Sequence, residues 1–386
     1  MSVSLWVLFL VVNGSGLWFG ARYLWRSRGS PWRDVPRLLA TGIVLSLVAA
    51  PLALIATQSH FGIARIECHV LFCVLAPLAM ARGVWHLVRN RRWAPGALLL
   101  LGGLAMDAVY VHARNFEPFD LQIRRYRIAT DRLPRSERPL KVIVLADLQT
   151  DLIGPYERSV FERIDAERAD LILLAGDYLH IGHKPDYERE RRKLVALIRR
   201  LTHEPRYGIF AVQGDTDAST DVLEGSGVPM LSDQTVRSPD GSLQIVGLSY
   251  RAAFKPVRER VLEQVRRFSG FTIVFGHRPA FMEPIVEHGS DVGFLCVAGH
   301  THGGQIVIPG FGPPATSSPL PRSHAGGLHR CGEGWVVVSR GVGMERGVAP
   351  RIRFFCPPEL VVVEIEGRGP GTMNRVGSSV ARASPR

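Results

Sequence analysis

Short apolar runs, each followed by polar side chains, recur through the last two thirds of the chain. Val142-Ile143-Val144-Leu145-Ala146 delivers Asp147 and then Gln149, and Leu171-Ile172-Leu173-Leu174-Ala175 delivers Gly176-Asp177. Ile209-Phe210-Ala211-Val212 runs into Gln213-Gly214-Asp215-Thr216-Asp217, and Phe271-Thr272-Ile273-Val274-Phe275 into Gly276-His277. Val292 to Ala298 leads into Gly299-His300-Thr301-His302-Gly303-Gly304-Gln305. Runs of this length and composition predict buried strands. Side chains alternate faces along a strand, so two histidines two apart at a strand end point the same way. Five strands thus end in oxygen or nitrogen donors, and layered α/β folds gather their functional groups at strand ends.

Between these runs the period changes. Pro155 to Ala166 places Tyr156, Val160, Phe161 and Ile164 on one helical face, and Asp186 to Leu201 does the same with Leu194, Leu197, Ile198 and Leu201. A third amphipathic helix is expected over Pro256 to Phe268. Leu121 to Ile128 alternates like an edge strand until Leu133-Pro134, and Leu243 to Leu248, Trp335 to Ser339 and Leu360 to Ile365 read as further strands. Tyr178 to Pro185 is an irregular loop carrying His180 and His183. Pro309 to Gly327, rich in Pro, Gly and Ser, is expected to be a loop near the site.

The first hundred residues follow another pattern. Leu5 to Gly20, Leu38 to Thr57, Val70 to Val88 and Ala97 to Val111 are long and apolar with very few charges, and each is a candidate transmembrane helix. A cleaved signal peptide accounts for the first of them but not for the other three. Three segments follow: a membrane region at 1–114, an α/β region at 115–366, and a basic tail at 367–386 with little to bury. Arg22, Arg26, Arg28, Arg33 and Arg37 fall between the first two spans and Arg89, Arg91 and Arg92 between the last two. Because basic loops stay in the cytoplasm, four spans place the α/β region on the other side.

The net charge of +12 across 386 residues raises a nucleic-acid reading. Nearly all of it is arginine, much of it beside the spans and in the tail, and no helix-turn-helix, zinc-finger or RNA-binding pattern accompanies it. Anionic lipid headgroups are the nearer partner, so the expected partners are the membrane and a phosphorylated small-molecule or lipid substrate, with no nucleic acid. Nothing points to a protein partner. Cys68, Cys73, Cys296, Cys331 and Cys356 are odd in number, contain no Cys-x-x-Cys pair and read as packing residues.

Carboxylates, an amide and imidazoles at convergent strand ends suit divalent manganese, iron or zinc better than calcium, and the lack of thiolates argues against a structural zinc cage. The order Asp-x-Gln, Gly-Asp, Gly-Asp-Thr-Asp, a lone His and Gly-His-Thr-His resembles the calcineurin-like metallophosphoesterases, in their membrane-associated bacterial branch. The resemblance runs from about Phe116 to Glu366. It includes Ser339-Arg340-Gly341-Val342-Gly343 and Pro357-Pro358-Glu359-Leu360.

That resemblance implies an N-terminal α-helical transmembrane bundle followed by an α/β metallophosphoesterase domain of two packed mixed β-sheets flanked by helices. It implies two divalent metal ions, one held by Asp147, Gln149, Asp177 and His302, the other by Asp177, Asp215, His277 and His300. Two ions roughly 3.5 to 4 Å apart lower the pKa of a shared water and place it in line with phosphorus. Three positions depart from the family pattern. Gln149 stands where relatives carry His, and Asp215 stands where they carry Asn, adding a negative charge expected to tighten the second cation. Thr216 replaces the His that assists the leaving group, with His180 or His183 as candidate substitutes. The resulting expectation is a membrane-anchored phosphoesterase or pyrophosphatase; the alternative is a weakened domain serving as a membrane binding or scaffold module.

Overall fold

The computed structural model describes residues 11, 12, 14–18, 20, 22, 31–89, 92–217, 222–257 and 259–369. The expected first span and basic tail lie largely outside the described residues. The chain divides into two compact units, Met1–Phe116 with Glu345–Ile352, and Glu117–Met344 with Arg353–Arg386.

The first unit is helical: α1 spans Asp34–Thr57, α2 His60–His69, α3 Ala76–Val88 and α4 Trp93–Asn115. A π-helical stretch, Val70–Leu75, joins α2 to α3 without a break. Among the described residues three helices, Asp34–Thr57, Phe61–Val88 and Trp93–Phe119, are long and apolar enough to cross a membrane. The second of these begins nine residues before Val70, so Arg65, expected in a loop, lies within α2 instead. The reason is local: Ser59 caps the helix by accepting the Phe61 N–H, which starts it directly after the turn at Gln58. Glycine sets the approach of α3 to α4, since a Cβ on Gly83 would stand 2.6 Å from the backbone nitrogen of Leu100.

The second unit holds two sheets. The first has the order β1-β11-β2-β3-β4, built from Gln122–Thr130, Glu359–Gly367, Leu140–Leu145, Leu171–Leu174 and Ile209–Ala211. The other has the order β5-β6-β7-β8-β10-β9, built from Gln234–Arg237, Leu243–Gly247, Phe271–Phe275, Phe294–Ala298, Gly334–Val338 and Gly327–Cys331. Both sheets are mixed: β2, β3 and β4 are parallel, as are β6, β7, β8 and β10, while β11 runs antiparallel to β2 and β9 to β10.

Period-two alternation divides each strand between two cores. Val142 and Val144 join Leu171, Leu173, Ile273, Leu295, Val297 and Val337 in a core shared by the two sheets. Ile143 and Leu145 face the opposite way, onto Val160, Phe161 and Ile164 of helix α5 (Pro155–Glu167) and Leu194 and Ile198 of α6 (Lys184–Arg199). A third core covers the outer face of the second sheet with Ala253, Val265 and Ile285. The expected strands and helices form, and β5, β9 and the short helix Glu283–His288 are added to them. The parallel register pairs Leu145 with Leu174 and Leu174 with Ala211, so the donor-bearing ends of β2, β3 and β4 meet at one edge. Phe275 pairs with Val297, which aligns the ends of β7 and β8 in the same way.

Candidate metal centre

At that edge the chain leaves its strands by sharp turns. Asp147, Gln149, Asp177, His300 and His302 all adopt positive φ, between 36° and 70°. Non-glycine residues rarely do so, and five such residues in one cluster mark a functional edge rather than ordinary turns. The backbone is over-determined around them. Asp177 and Tyr178 donate their N–H groups to Asp217, and Gly214 does so as well. Both oxygens of Asp147 accept the His300 N–H at 2.9 Å. Gly214 is required by space, since a Cβ there would stand 2.2 Å from Asp177 Oδ1.

Two groups of donors result. Asp215, His277 and His300 place one ligand atom each within 4.8 Å of one another, and Asp147, Asp177 and His277 do likewise. His277 Nε2 lies 3.4 Å from Asp177 Oδ2 and 3.5 Å from Asp215 Oδ1; His300 Nδ1 lies 3.4 Å from Asp215 Oδ2. Nδ1 of His277 donates to the Ala175 carbonyl at 2.8 Å, which turns Nε2 toward the carboxylates. The tautomer is thus set by the backbone.

Electrostatics follow from crowding acids in a dry place. Burial raises Asp147 to about 7 against the opposing pull of His277, and raises Asp217 to about 7 with help from Asp177. Burial opposes a charged His277, yet Asp177, Asp147 and Asp215 together lift it to about 10. His300 is depressed to about 4 and His302 well below its ordinary value, chiefly by burial, with positive neighbours adding to it. Nε2 of His277 and His300 and both ring nitrogens of His302 are buried with no hydrogen-bond partner. Orphaned imidazole nitrogens beside clustered carboxylates are what a divalent transition cation satisfies, so the residues fit such an ion.

Thr216 donates its N–H to Asp177 Oδ1 at 2.9 Å, with its hydroxyl 3.3 Å from the same oxygen, so it orients that carboxylate. Gln149 is buried, its side-chain nitrogen 3.3 Å from Nδ1 of half-buried His180. His183 is exposed at the start of α6 and paired with Asp186 at 2.8 Å.

Sequence reasoning missed three residues. Arg278 grips Asp215 with a two-pronged guanidinium, Nε to Oδ1 at 2.9 Å and Nη2 to Oδ2. The negative charge that Asp215 adds at this position is thus paired with a guanidinium. The only signal was adjacency, because Arg278 follows His277. Asp217 lies in the Asp215 loop but reads there as one more acid. Arg353 is fully buried and donates mainly to backbone carbonyls, including Gly343 at 2.9 Å, Cys356 at 2.9 Å and Arg340 at 2.7 Å. It ties the loop after β10, where Gly343 N–H bonds the Asp147 carbonyl at 2.7 Å, to the chain entering β11.

Comparison with known proteins agrees with this geometry. No protein-family model matches the chain. It is 25% identical to the uncharacterized metallophosphoesterase YkuE of Bacillus subtilis over 280 residues, covering 69% of this chain and 93% of the relative. It is 26% identical to phosphodiesterase YaeI of Escherichia coli, covering 68% and 94%, and 26% identical to an uncharacterized metallophosphoesterase of Aquifex aeolicus, covering 66% and 95%. Among solved structures, a dimetal phosphatase from Danio rerio aligns at 12% identity with a TM-score of 0.35, covering 53% of this chain and 88% of that one. That structural likeness is too slight to inform the site. By motif order and by these relatives the chain is similar to the metallophosphoesterases.

Proposed function

We propose that the chain is a membrane-anchored phosphohydrolase, dependent on two divalent ions, that cleaves a phosphoester or phosphoanhydride of a lipid or cell-envelope substrate. The observation that carries the reading is the set of partnerless buried nitrogens on His277, His300 and His302 beside Asp147, Asp177 and Asp215. Asp147, Gln149, Asp177 and His302 would hold one ion and Asp177, Asp215, His277 and His300 the other, with Asp177 shared. When bound, such a pair of ions activates water and stabilises charge developing on the phosphoryl group. The chain's own groups do the positioning. Thr216 fixes Asp177 Oδ1, Asp217 pins the backbone on which Asp177 turns, and the Ala175 carbonyl sets the His277 tautomer.

Membrane anchoring is supported by the three long apolar helices. In this reading the membrane region is 1–114, including Leu5 to Gly20, and the hydrolase region 115–366 lies outside the cytoplasm. Two measurements test it. Purified full-length protein reconstituted with manganese should release nitrophenol from bis(4-nitrophenyl) phosphate, and Asp177→Asn should not. A reporter fused after Arg138 should be active only outside the cytoplasm; activity confined to the cytoplasm overturns the orientation.

A further inference from the structure

We propose that Arg278 forms a phosphate subsite on the rim of the metal centre and that it suits the chain to substrates whose leaving group is itself a phosphate. The inference rests on the phosphohydrolase reading and adds the substrate class. Arg278 lies at the end of β7, one residue beyond His277, and its side chain is 23% exposed, so it faces both the donor cluster and solvent. Its guanidinium stacks over the Phe254 ring at 4.6 Å and stands 5.8 Å from the Tyr250 ring centroid. These aromatic faces hold the plane of the fork while its N–H groups point at Asp215.

The partner of that fork is shared. Asp215 Oδ1 meets both Arg278 Nε and His277 Nε2, and Oδ2 meets both Arg278 Nη2 and His300 Nδ1. A cation between His277 and His300 would draw on the same two oxygens and weaken the guanidinium's hold. A fork that matches a carboxylate also matches the non-bridging oxygens of a phosphate. Arg278 is then a charged arm released toward substrate beside the centre.

The chemistry of the arm restricts the leaving group. The Thr216 hydroxyl is far too weak an acid to protonate a leaving group at neutral pH, and arginine stays protonated in proteins, so neither is a general acid. In phosphoanhydride hydrolysis the oxygen of water forms the new P–O bond and the bridging P–O bond breaks. Its electron pair departs on the leaving phosphate, while the proton of water passes to solvent. That leaving group needs charge neutralisation rather than a proton, which a guanidinium supplies. A departing alkoxide needs the proton, worth about 10²- to 10⁴-fold in rate, and finds no donor in Arg278.

The test uses full-length, manganese-loaded protein with a nucleoside diphosphate hexose and bis(4-nitrophenyl) phosphate as substrates. Arg278→Gln should lower kcat/KM for the diphosphate about 10²- to 10³-fold and for the aryl diester less than about 10-fold, with metal content unchanged. Arg278→Lys should fall between wild type and Arg278→Gln. Methylenediphosphonate binding, followed by calorimetry, should weaken at least about 10-fold in Arg278→Gln, as expected for a lost charge-assisted fork. Equal losses on both substrates with falling metal content would reduce Arg278 to a counter-ion of Asp215. So would recovery of diphosphate hydrolysis in the double variant Asp215→Asn, Arg278→Gln. If the wild type hydrolyses neither substrate, the phosphohydrolase reading fails by itself; the diphosphonate affinity still decides the subsite, and equal affinities overturn it.

Discussion

Two buried charged clusters among the described residues are built on opposite terms. In the helical unit Asp34 is almost fully buried with Arg82 and His86, and its oxygens are satisfied: Arg82 Nε donates at 2.8 Å, His86 Nε2 lies at 2.6 Å and Arg37 Nη1 donates at 3.2 Å. In the α/β unit, His277 and His302 are just as deep and His300 is partly buried, yet four of their ring nitrogens, themselves buried, have no hydrogen-bond partner among the described residues. A closed network holds helices together and needs nothing more, whereas an open one presents buried polar atoms that a cation would satisfy. The difference separates structural glue from a functional centre without appeal to sequence similarity.

Substitutions at the two carboxylates should give opposite phenotypes. Asp177→Asn should lower kcat/KM by about 10³-fold while the metal-free protein still folds, because the Asn side chain keeps an oxygen to accept the Thr216 N–H. Loss of folding without loss of specific activity would reverse the assignment. Asp34→Ala should destabilise the helical unit by about 3 to 5 kcal/mol, since Arg82 and His86 are left buried without their anion, and should leave hydrolysis by the folded fraction intact. Thermal unfolding in detergent alongside specific activity separates the two.

Arg353 belongs to the closed kind although it sits behind the open site. Arg353→Met strands several buried carbonyls and should cost about 3 kcal/mol by denaturant titration; a loss under about 1 kcal/mol would show that the carbonyls find other donors. Chelation probes the donor cluster directly. Removing metal held at about 100-fold above its Kd should withdraw about 2.7 kcal/mol of stability from the α/β unit, seen as a lower Tm, and should leave the helical unit unchanged. The smallest effect is expected at His183→Ala, within about twofold in activity and 0.5 kcal/mol in stability, because its exposed pair with Asp186 lies outside both clusters. A large activity loss there would reinstate it as the leaving-group acid.

The strands, the flanking helices and the strand-end places of Asp147, Asp177, Asp215, His277 and His300 were legible in the sequence because each is a local property. An apolar run of five residues is a strand wherever it packs, and a donor placed just past its end reaches the sheet edge whenever parallel neighbours share a register. Apolar spans announce themselves by length alone, apart from the start of α2, which a single serine cap moved into the expected loop. What the sequence could not carry was partnership across long separations. Arg278 meets Asp215 across 63 residues, and Asp217 accepts the N–H of Asp177 across 40. Arg353 gathers carbonyls from Arg340 to Cys356 because the loop after β10 folds back beneath Asp147. Charge compensation depends on distance in space, which only the packed sheets fix: the pattern of residues named the acids and imidazoles, and the tertiary structure decided which were neutralised and which were left open for an ion.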